Sequence, residues 1–491
     1  MNQIRANVTR LSRHTLIYGL GNILNRTITF LLLPLYTNLM TTSEYGALNL
    51  IYPFMAFMNV VFMYGMDAAF MRFFIPEKDS GERRRVLGTI YSGILMTTLL
   101  WLVMLFVLKQ PITTSLLGED PSGSVFWLAF VILAIDGLSF IPVLYYRSIG
   151  NAPRYVAIIF IEVLVNLSLN VLFVGFWGWG IKGVLIANVV SSGIKLLLSL
   201  IGVIGKMELR WSWSRWKPML AFGLPTMPAV AFALLTALSD RYILNYFFDR
   251  EVVGVYAANY KIGTAMGLMV TAFRFAWHPF FLSISDQADA RKTYARILSL
   301  YLAVGGLFVL TVALLAPPIL TFEVGGRAIL PGKYQAGLGV IPLVLLGYLL
   351  QGVYVNLVVG MYIEKKTKLA PLFTGTGVVL NLGLNFFLIG VCGWDFHASA
   401  VALVVANLGQ ALVCWAVSRR FYPVPYDLWS MGKVVVVLAV LYFLGAQLQG
   451  HWAWLRLFLV AAFLPLLDLL KVITLKNLPS MLRGLLRRGS A

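Results

Sequence analysis

The sequence has little charge. Asp, Glu, Lys and Arg make up 12% of its residues, against about 25% in an ordinary soluble domain, and 59% are hydrophobic. That balance excludes a soluble enzyme and a disordered chain. Cysteine is almost absent: Cys392 stands beside a short loop and Cys414 inside an apolar run. Neither has a CxxC or Cys/His spacing that would hold a metal, so both read as packing residues and a disulfide scaffold is excluded. The four histidines, His14, His278, His397 and His451, are scattered and form no H-E-x-x-H site. A nucleotide-driven pump needs a phosphate-cradling loop ahead of a helix. The nearest approach, Gly326 to Tyr334, has one spacer too many and Tyr where the magnesium-binding hydroxyl belongs. Asp286 and Asp289 lie in a short loop and read as a solvated helix end rather than as metal ligands of a glycosyltransferase. The expectation is a protein with no cofactor, no metal and no catalytic residues.

What is present is apolar sequence in long runs. Mean hydropathy is +0.82, and runs long enough to cross a bilayer recur from end to end. A window of about 19 residues predicts about fourteen spans, near 15–39, 47–71, 87–108, 124–146, 155–177, 181–204, 219–247, 252–282, 295–317, 337–362, 369–391, 398–418, 433–448 and 453–473. The basic start, Met1 to Arg13, precedes an apolar stretch too long for a signal-peptide core, so the first helix is expected to be retained. The net charge of +19 then reads as orientation. Alternate loops and both tails hold about 25 of the Lys and Arg and the opposite loops about four, so the former face the cytoplasm. Arg83-Arg84-Arg85, Lys365-Lys366, Arg419-Arg420 and Arg487-Arg488 are among them. Both termini are expected inside, and nucleic acid is not an expected partner.

The chain also repeats itself. Asn166-Leu-Ser-Leu-Asn170 leads through Gly178-Trp179 to Ala187-Asn188, and Asn381-Leu-Gly-Leu-Asn385 leads through Gly393-Trp394 to Ala406-Asn407, with four extra residues around the second loop. Gly19-Leu20 followed by Glu44-Tyr45-Gly46 is echoed by Gly223-Leu224 followed by Glu251, Gly254 and Tyr256. Six spans separate the copies, and an even number restores direction through the membrane, which predicts a parallel repeat. The expected architecture is an all-α polytopic protein of two six-helix lobes, residues 1–204 and 219–420. A cytoplasmic linker, 205–218, joins them, and 421–491 supplies two peripheral helices and a basic tail.

Inside the spans, polar residues fall in stripes at helical spacing. Tyr18, Asn22, Asn25, Arg26 and Thr29 share one face; so do Glu162, Asn166 and Asn170; Asn188, Ser191, Ser192, Lys195 and Ser199; Tyr256, Tyr260, Thr264, Gly267, Thr271, Arg274 and His278; and Thr374, Gly377, Asn381 and Asn385. Ionisable groups in a bilayer are costly and are expected to line water or meet a partner. Arg26, Lys195, Arg241, Lys261 and Arg274 are the intramembrane cations, and Asp67, Asp136, Glu162 and Asp240 the acids available to them. Adjacent Asp240 and Arg241 point about 100° apart on a helix, so each is expected to meet another helix. The cationic surplus suits an anionic ligand. Arg26, Arg241, Lys261, Arg274, Lys195, Asn22, Asn25, Tyr256, Tyr260, Asn381 and Asn385 are therefore candidate substrate contacts. Asp67, Asp136, Glu162 and Asp240 are candidates for ion coupling. His278, near a span end, reads as a bystander.

These residues also resemble a family. Tyr18-Gly-Leu-Gly-Asn-Ile-Leu through Leu39 and Glu44-Tyr45-Gly46, Gly223-Leu-Pro with Asp240-Arg241, and Gly254-Val-Tyr256 through Tyr260-Lys261 are similar to the polysaccharide-biosynthesis flippases (Wzx type) of the multidrug, oligosaccharidyl-lipid and polysaccharide exporter superfamily. The likeness continues through Lys333-Tyr334, Ile341-Pro342, Gly347-Tyr348, Gln351-Gly352 and Lys365-Lys366-Thr367-Lys368 to Asn381 and Asn385. One departure is Gly393-Trp-Asp-Phe-His-Ala398, where the family usually has a G-x-x-G-A-A turn. The resemblance implies two lobes about a cavity and the passage of a polyprenyl-pyrophosphate-linked oligosaccharide from the cytoplasmic to the periplasmic leaflet of a bacterial inner membrane. Membrane lipids and the polymerase and glycosyltransferase machinery of O-antigen or exopolysaccharide synthesis would be its partners. The rivals are an ion-coupled drug antiporter of the same superfamily, which would want acids for cationic drugs, and a membrane-embedded polymerase, which would want a large periplasmic loop.

Overall fold

The computed structural model describes residues 30–117, 124–448 and 454–472. Apart from one small hairpin and short turns, the described elements are helices. Through residue 257 they begin with α1 Leu33–Leu39, α2 Thr42–Met63, α3 Met66–Phe74, α4 Ser80–Val107 and α5 Lys109–Leu117. Next come α6 Ser124–Ser148, α7 Ala152–Asn170, α8 Gly180–Ile201, α9 Trp213–Gly223, α10 Met227–Phe247 and α11 Arg250–Gly263, which runs past that point. Beyond it lie α12 Ala265–Ser283, α13 Ala290–Thr321, α14 Val340–Leu357, α15 Val359–Ile363, α16 Ala370–Asn385, α17 His397–Ser418, α18 Leu428–Gln447 and α19 Leu455–Leu469. The hairpin pairs β1 Glu323–Val324 with β2 Arg327–Ala328, and it turns on Gly325 and Gly326, at φ 60° and 74°. The glycine that opens the phosphate-loop look-alike thus closes a hairpin and starts no helix.

Among the described residues ten helical stretches are long and apolar enough to cross a membrane, or eleven when α9 and α10, bent by 43°, count as one span. The expectation was about fourteen. Most of the first span lies outside the described residues, the eighth is divided at Thr264 into α11 and α12, and the last yields only the 15-residue α19. Leu100, Val103 and Phe106 on α4 and Val435, Val436 and Phe443 on α18 are exposed. A bilayer solvates such faces, whereas water does not. The chain is a multi-pass membrane protein.

Loop residues set several helix starts. Thr41 accepts from the Glu44 amide at 3.1 Å while the Glu44 carboxylate accepts from the Thr41 amide at 2.9 Å, a reciprocal cap on α2. Asp79 caps α4 by accepting from the Glu82 amide at 2.7 Å, and Asn151 caps α7 ahead of Pro153. Asp427 caps α18, taking the Ser430 amide at 3.0 Å and its hydroxyl at 2.6 Å.

The chain divides into two compact units at Ala257 and Ala258. In the first, α6, α7 and α8 pack together, and α6 also meets α2 and α4. Short α9 docks on α3 and α4, with Trp216 over Gly93 and Arg215 forked onto Glu82 at 2.8 and 3.1 Å. At the start of α2 and α11 the backbones touch: a Cβ on Gly46 would strike the Arg250 carbonyl, and one on Gly254 the Thr42 carbonyl. Only glycine permits that approach. In the second unit α14 and α17 pair, α16 lies on α17, and α13 carries α14 on one side and α18 and α19 on another. Arg456 ties these last helices down, its guanidinium donating to the carbonyls of Leu314, Gly445 and Leu448 at 3.1, 3.1 and 2.6 Å. Cys414 is buried as expected; Cys392 is exposed, because it follows the turn that ends its helix.

Candidate functional site

The internal repeat is the frame of the polar sites. Asn170 ends α7 and its side chain donates to the Asn166 carbonyl at 2.8 Å; Asn385 ends α16 and donates to the Asn381 carbonyl at 2.8 Å. In both copies the helix then widens into a π turn, Val171–Phe176 and Phe386–Val391. Matching backbone bonds close the turns, from Trp177 to Leu172 and Cys392 to Phe387, both 3.0 Å, and from Trp179 to Phe173 and Trp394 to Leu388, both 2.9 Å. Gly178 and Gly393 follow at φ 66° and 68°, where a side chain would be strained. The unusual Gly393–Ala398 segment therefore keeps the turn. Its additional residues form a small cap in which Asp395 accepts from the His397 amide at 3.0 Å.

Each asparagine also accepts a hydrogen bond local to its copy. Asn170 accepts from the Tyr36 hydroxyl at 2.7 Å, and Asn385 from the Ser399 hydroxyl at 2.6 Å. Both asparagines are fully buried, as is Asn381. From Asn170 the first copy continues through Asn166 to Ser191, at 3.0 and 3.1 Å.

One turn further along these helices lies the densest charge cluster inside the spans among the described residues. Lys195 of α8 places its Nζ 2.9 Å from Asp136 of α6 and 2.6 Å from Glu162 of α7. The Ser192 hydroxyl donates to the same Asp136 oxygen at 2.8 Å. Side-chain exposures of 14, 25 and 18% for Lys195, Asp136 and Glu162 leave little water to screen them. Lys195, expected as a substrate contact, and two acids expected as ion-coupling groups are thus one cluster. The sequence held a trace of it: Ser192 and Lys195 share a face, as do Glu162 and Asn166, on consecutive helices.

A second cluster lies on α10 and α11. Arg241 bends back onto its neighbour, with Nη1 2.6 Å from Asp240 Oδ1 and 3.1 Å from the Ala237 carbonyl, and Tyr256 donates to Asp240 Oδ2 at 2.7 Å. Asp240 does reach another helix, through Tyr256. The expectation that Arg241 points away from it does not hold, because a long side chain in a poorly screened setting closes on the nearest charge. With both charged side chains 7% exposed and Tyr256 fully buried, none of the three presents a free face in this conformation. Asp67 stands apart from both clusters. Tyr64 and Gly65, at φ 31° and 76°, interrupt the helix, and Asp67 is exposed in the first turn of α3.

The other cations differ in kind. Lys261, half-buried at the end of α11, and Arg274, exposed on α12, meet no acid among the described residues. Tyr260 is buried, its hydroxyl 3.3 Å from that of Tyr348, and Thr271 bonds back to the Gly267 carbonyl. The ring of His278 packs on Phe281 and Tyr362. Asn22, Asn25 and Arg26 lie outside the described residues.

A profile of the polysaccharide biosynthesis protein family matches residues 11–285. The chain belongs to that family. No curated protein matches it in sequence. Among solved structures it is similar to the lipid II flippase MurJ in an inward closed conformation, with a TM-score of 0.72 at 14% identity over 93% of this chain and 97% of that one. It also resembles an inward-facing multidrug resistance MATE transporter of the MOP superfamily, with a TM-score of 0.62 at 14% identity over 84% and 96%. A variant of the Vibrio cholerae MATE transporter VcmN gives 0.56 at 13% identity over 86% and 98%. The fold of this family member is thus the one these transporters share.

Proposed function

We propose that this protein is a flippase that moves a polyprenyl-pyrophosphate-linked oligosaccharide from the cytoplasmic to the periplasmic leaflet of a bacterial inner membrane by alternating access. The observation that carries the reading is the contrast among intramembrane cations. Lys195 and Arg241 are held by acids, whereas Lys261 and Arg274 have none among the described residues. A cation kept inside a membrane protein without a counter-ion is suited to an anion that comes and goes. A pyrophosphate offers two phosphoryl groups to a lysine point charge and an arginine fork. Family membership and the likeness to a lipid II flippase support the same reading. Arg26 would extend the basic surface. The lobes would be 1–204 and 219–420, joined by the linker 205–218, with 421–491 at the periphery and both termini in the cytoplasm.

The MATE likeness favours a drug antiporter as the second reading. A cationic drug wants a free acid, yet Asp136, Glu162 and Asp240 already have cationic partners, which leaves Asp67 alone of the four candidates for that role. Depleting the protein separates the two. The flippase reading expects complete lipid-linked repeat units to accumulate, accessible from the cytoplasmic leaflet only; unchanged lipid pools would refute it.

A further inference from the structure

We propose that Lys195 is a tethered cation. Its ammonium fills a site, built from the Asp136 and Glu162 carboxylates and the Ser192 hydroxyl, that would otherwise take a small monovalent cation from solution. Three oxygen-bearing side chains from three helices converge there, and Lys195 meets both carboxylates at ion-pair distance, 2.9 and 2.6 Å. Such a donor set, two carboxylates and a hydroxyl, is the hard-oxygen kind that cations without directional bonding prefer.

The internal repeat shows that the helical scaffold does not need this cluster. Four positions before the first asparagine of each pair stands Glu162 in one copy and Gly377 in the other. Four positions after Asn188 and Asn407 stand Ser192 and Ala411, and seven positions after them Lys195 and Cys414. The second copy thus lacks the cation and the donors Glu162 and Ser192 at matching places, yet it keeps the paired asparagines, the π turn and the packed helix pair. Gly377 lies against Gln410 and Cys414 is fully buried. Glu162, Ser192 and the ammonium are therefore features of one copy only, which marks them as a function of that copy rather than a requirement of the fold.

It follows that Asp136 and Glu162 do not bind sodium while Lys195 is present, and that the first unit needs no metal ion from solution to hold its charge. The claim is independent of the substrate, and so is its test. The purified full chain is melted in choline chloride and in rising sodium chloride at constant ionic strength. Wild type should melt at one temperature throughout. Lys195→Met should melt lower in choline and recover saturably by about 2 °C or more as sodium rises, and adding Glu162→Gln should abolish that recovery. Should Lys195→Met fail to accumulate, Asp136→Asn with Lys195→Met keeps the wild-type net charge of the cluster and should fold, with a sodium response that Glu162→Gln again removes. A saturable sodium response in wild type that Glu162→Gln eliminates would overturn the proposal, because a solution cation would already reach the carboxylates. A folded Lys195→Met that melts alike in every salt would overturn it as well.

Discussion

Asn170 and Asn385 do the same work in two copies of one local structure. Each ends a helix, donates to the carbonyl one turn back at 2.8 Å, and hands the chain to a π turn. Replacing either by Ala removes that bond and leaves a buried hydroxyl, Tyr36 or Ser399, without its acceptor. Each substitution should cost about 1–3 kcal/mol, read as a lower melting temperature and reduced membrane abundance. Equal effects at the two sites would follow from the shared geometry.

Arg241 and Asp240 give a test of pairing against ligand contact. Arg241→Ala leaves a buried carboxylate with the Tyr256 hydroxyl and the residue-241 amide but no counter-charge, and removing one partner of a buried pair costs about 3–5 kcal/mol. Abundance of the folded protein should fall sharply, and Asp240→Asn in the same chain should restore much of it. If Arg241→Ala accumulates normally and loses ligand binding, the pair is functional rather than structural.

Asp427 carries a pH dependence. The Ser430 hydroxyl and amide hold its carboxyl below the usual carboxylate range. A depressed value means the cap stabilises fully above the unfolded range, about 3.9, and the contribution fades as pH falls through the folded value. Melting temperatures of wild type and Asp427→Ala should therefore differ at pH 7 and converge toward pH 3.

The repeat, the family and the broad helical layout were legible in the sequence because they rest on spacing: paired asparagines, Gly-Trp after them, apolar runs between basic loops. The pairing of charges was not. Nothing local in the chain says that Lys195 meets Asp136 and Glu162, since the three lie on different helices and meet only through tertiary packing. The Arg241 contact with its own neighbour is hidden too, because the reach of a guanidinium exceeds what helical angle displays. The break at Tyr64 and Gly65 leaves no mark in hydropathy. The role of Arg456 is invisible in the sequence because its partners are backbone carbonyls.

Lys261 and Arg274 should each matter for affinity and not for folding. Loss of either removes a charge-assisted contact of about 1.5–3 kcal/mol, weakening binding of a polyprenyl pyrophosphate ten- to over a hundredfold. Arg274→Lys should also weaken binding, because a point charge cannot grip two oxygens, whereas Lys261→Arg should be better tolerated. Titration of the purified variants with a fluorescent polyprenyl pyrophosphate reads both effects, with melting temperature as the control.

The most direct test is transbilayer movement itself. Purified protein is reconstituted in vesicles carrying a lipid-linked oligosaccharide on the inner leaflet, and its appearance on the outer leaflet is followed with an external glycosidase. Wild type should make the lipid accessible much faster than protein-free vesicles, and Lys261→Ala with Arg274→Ala should abolish the gain while folding normally. Movement no faster than in protein-free vesicles, or undiminished movement in the double variant, would contradict the account.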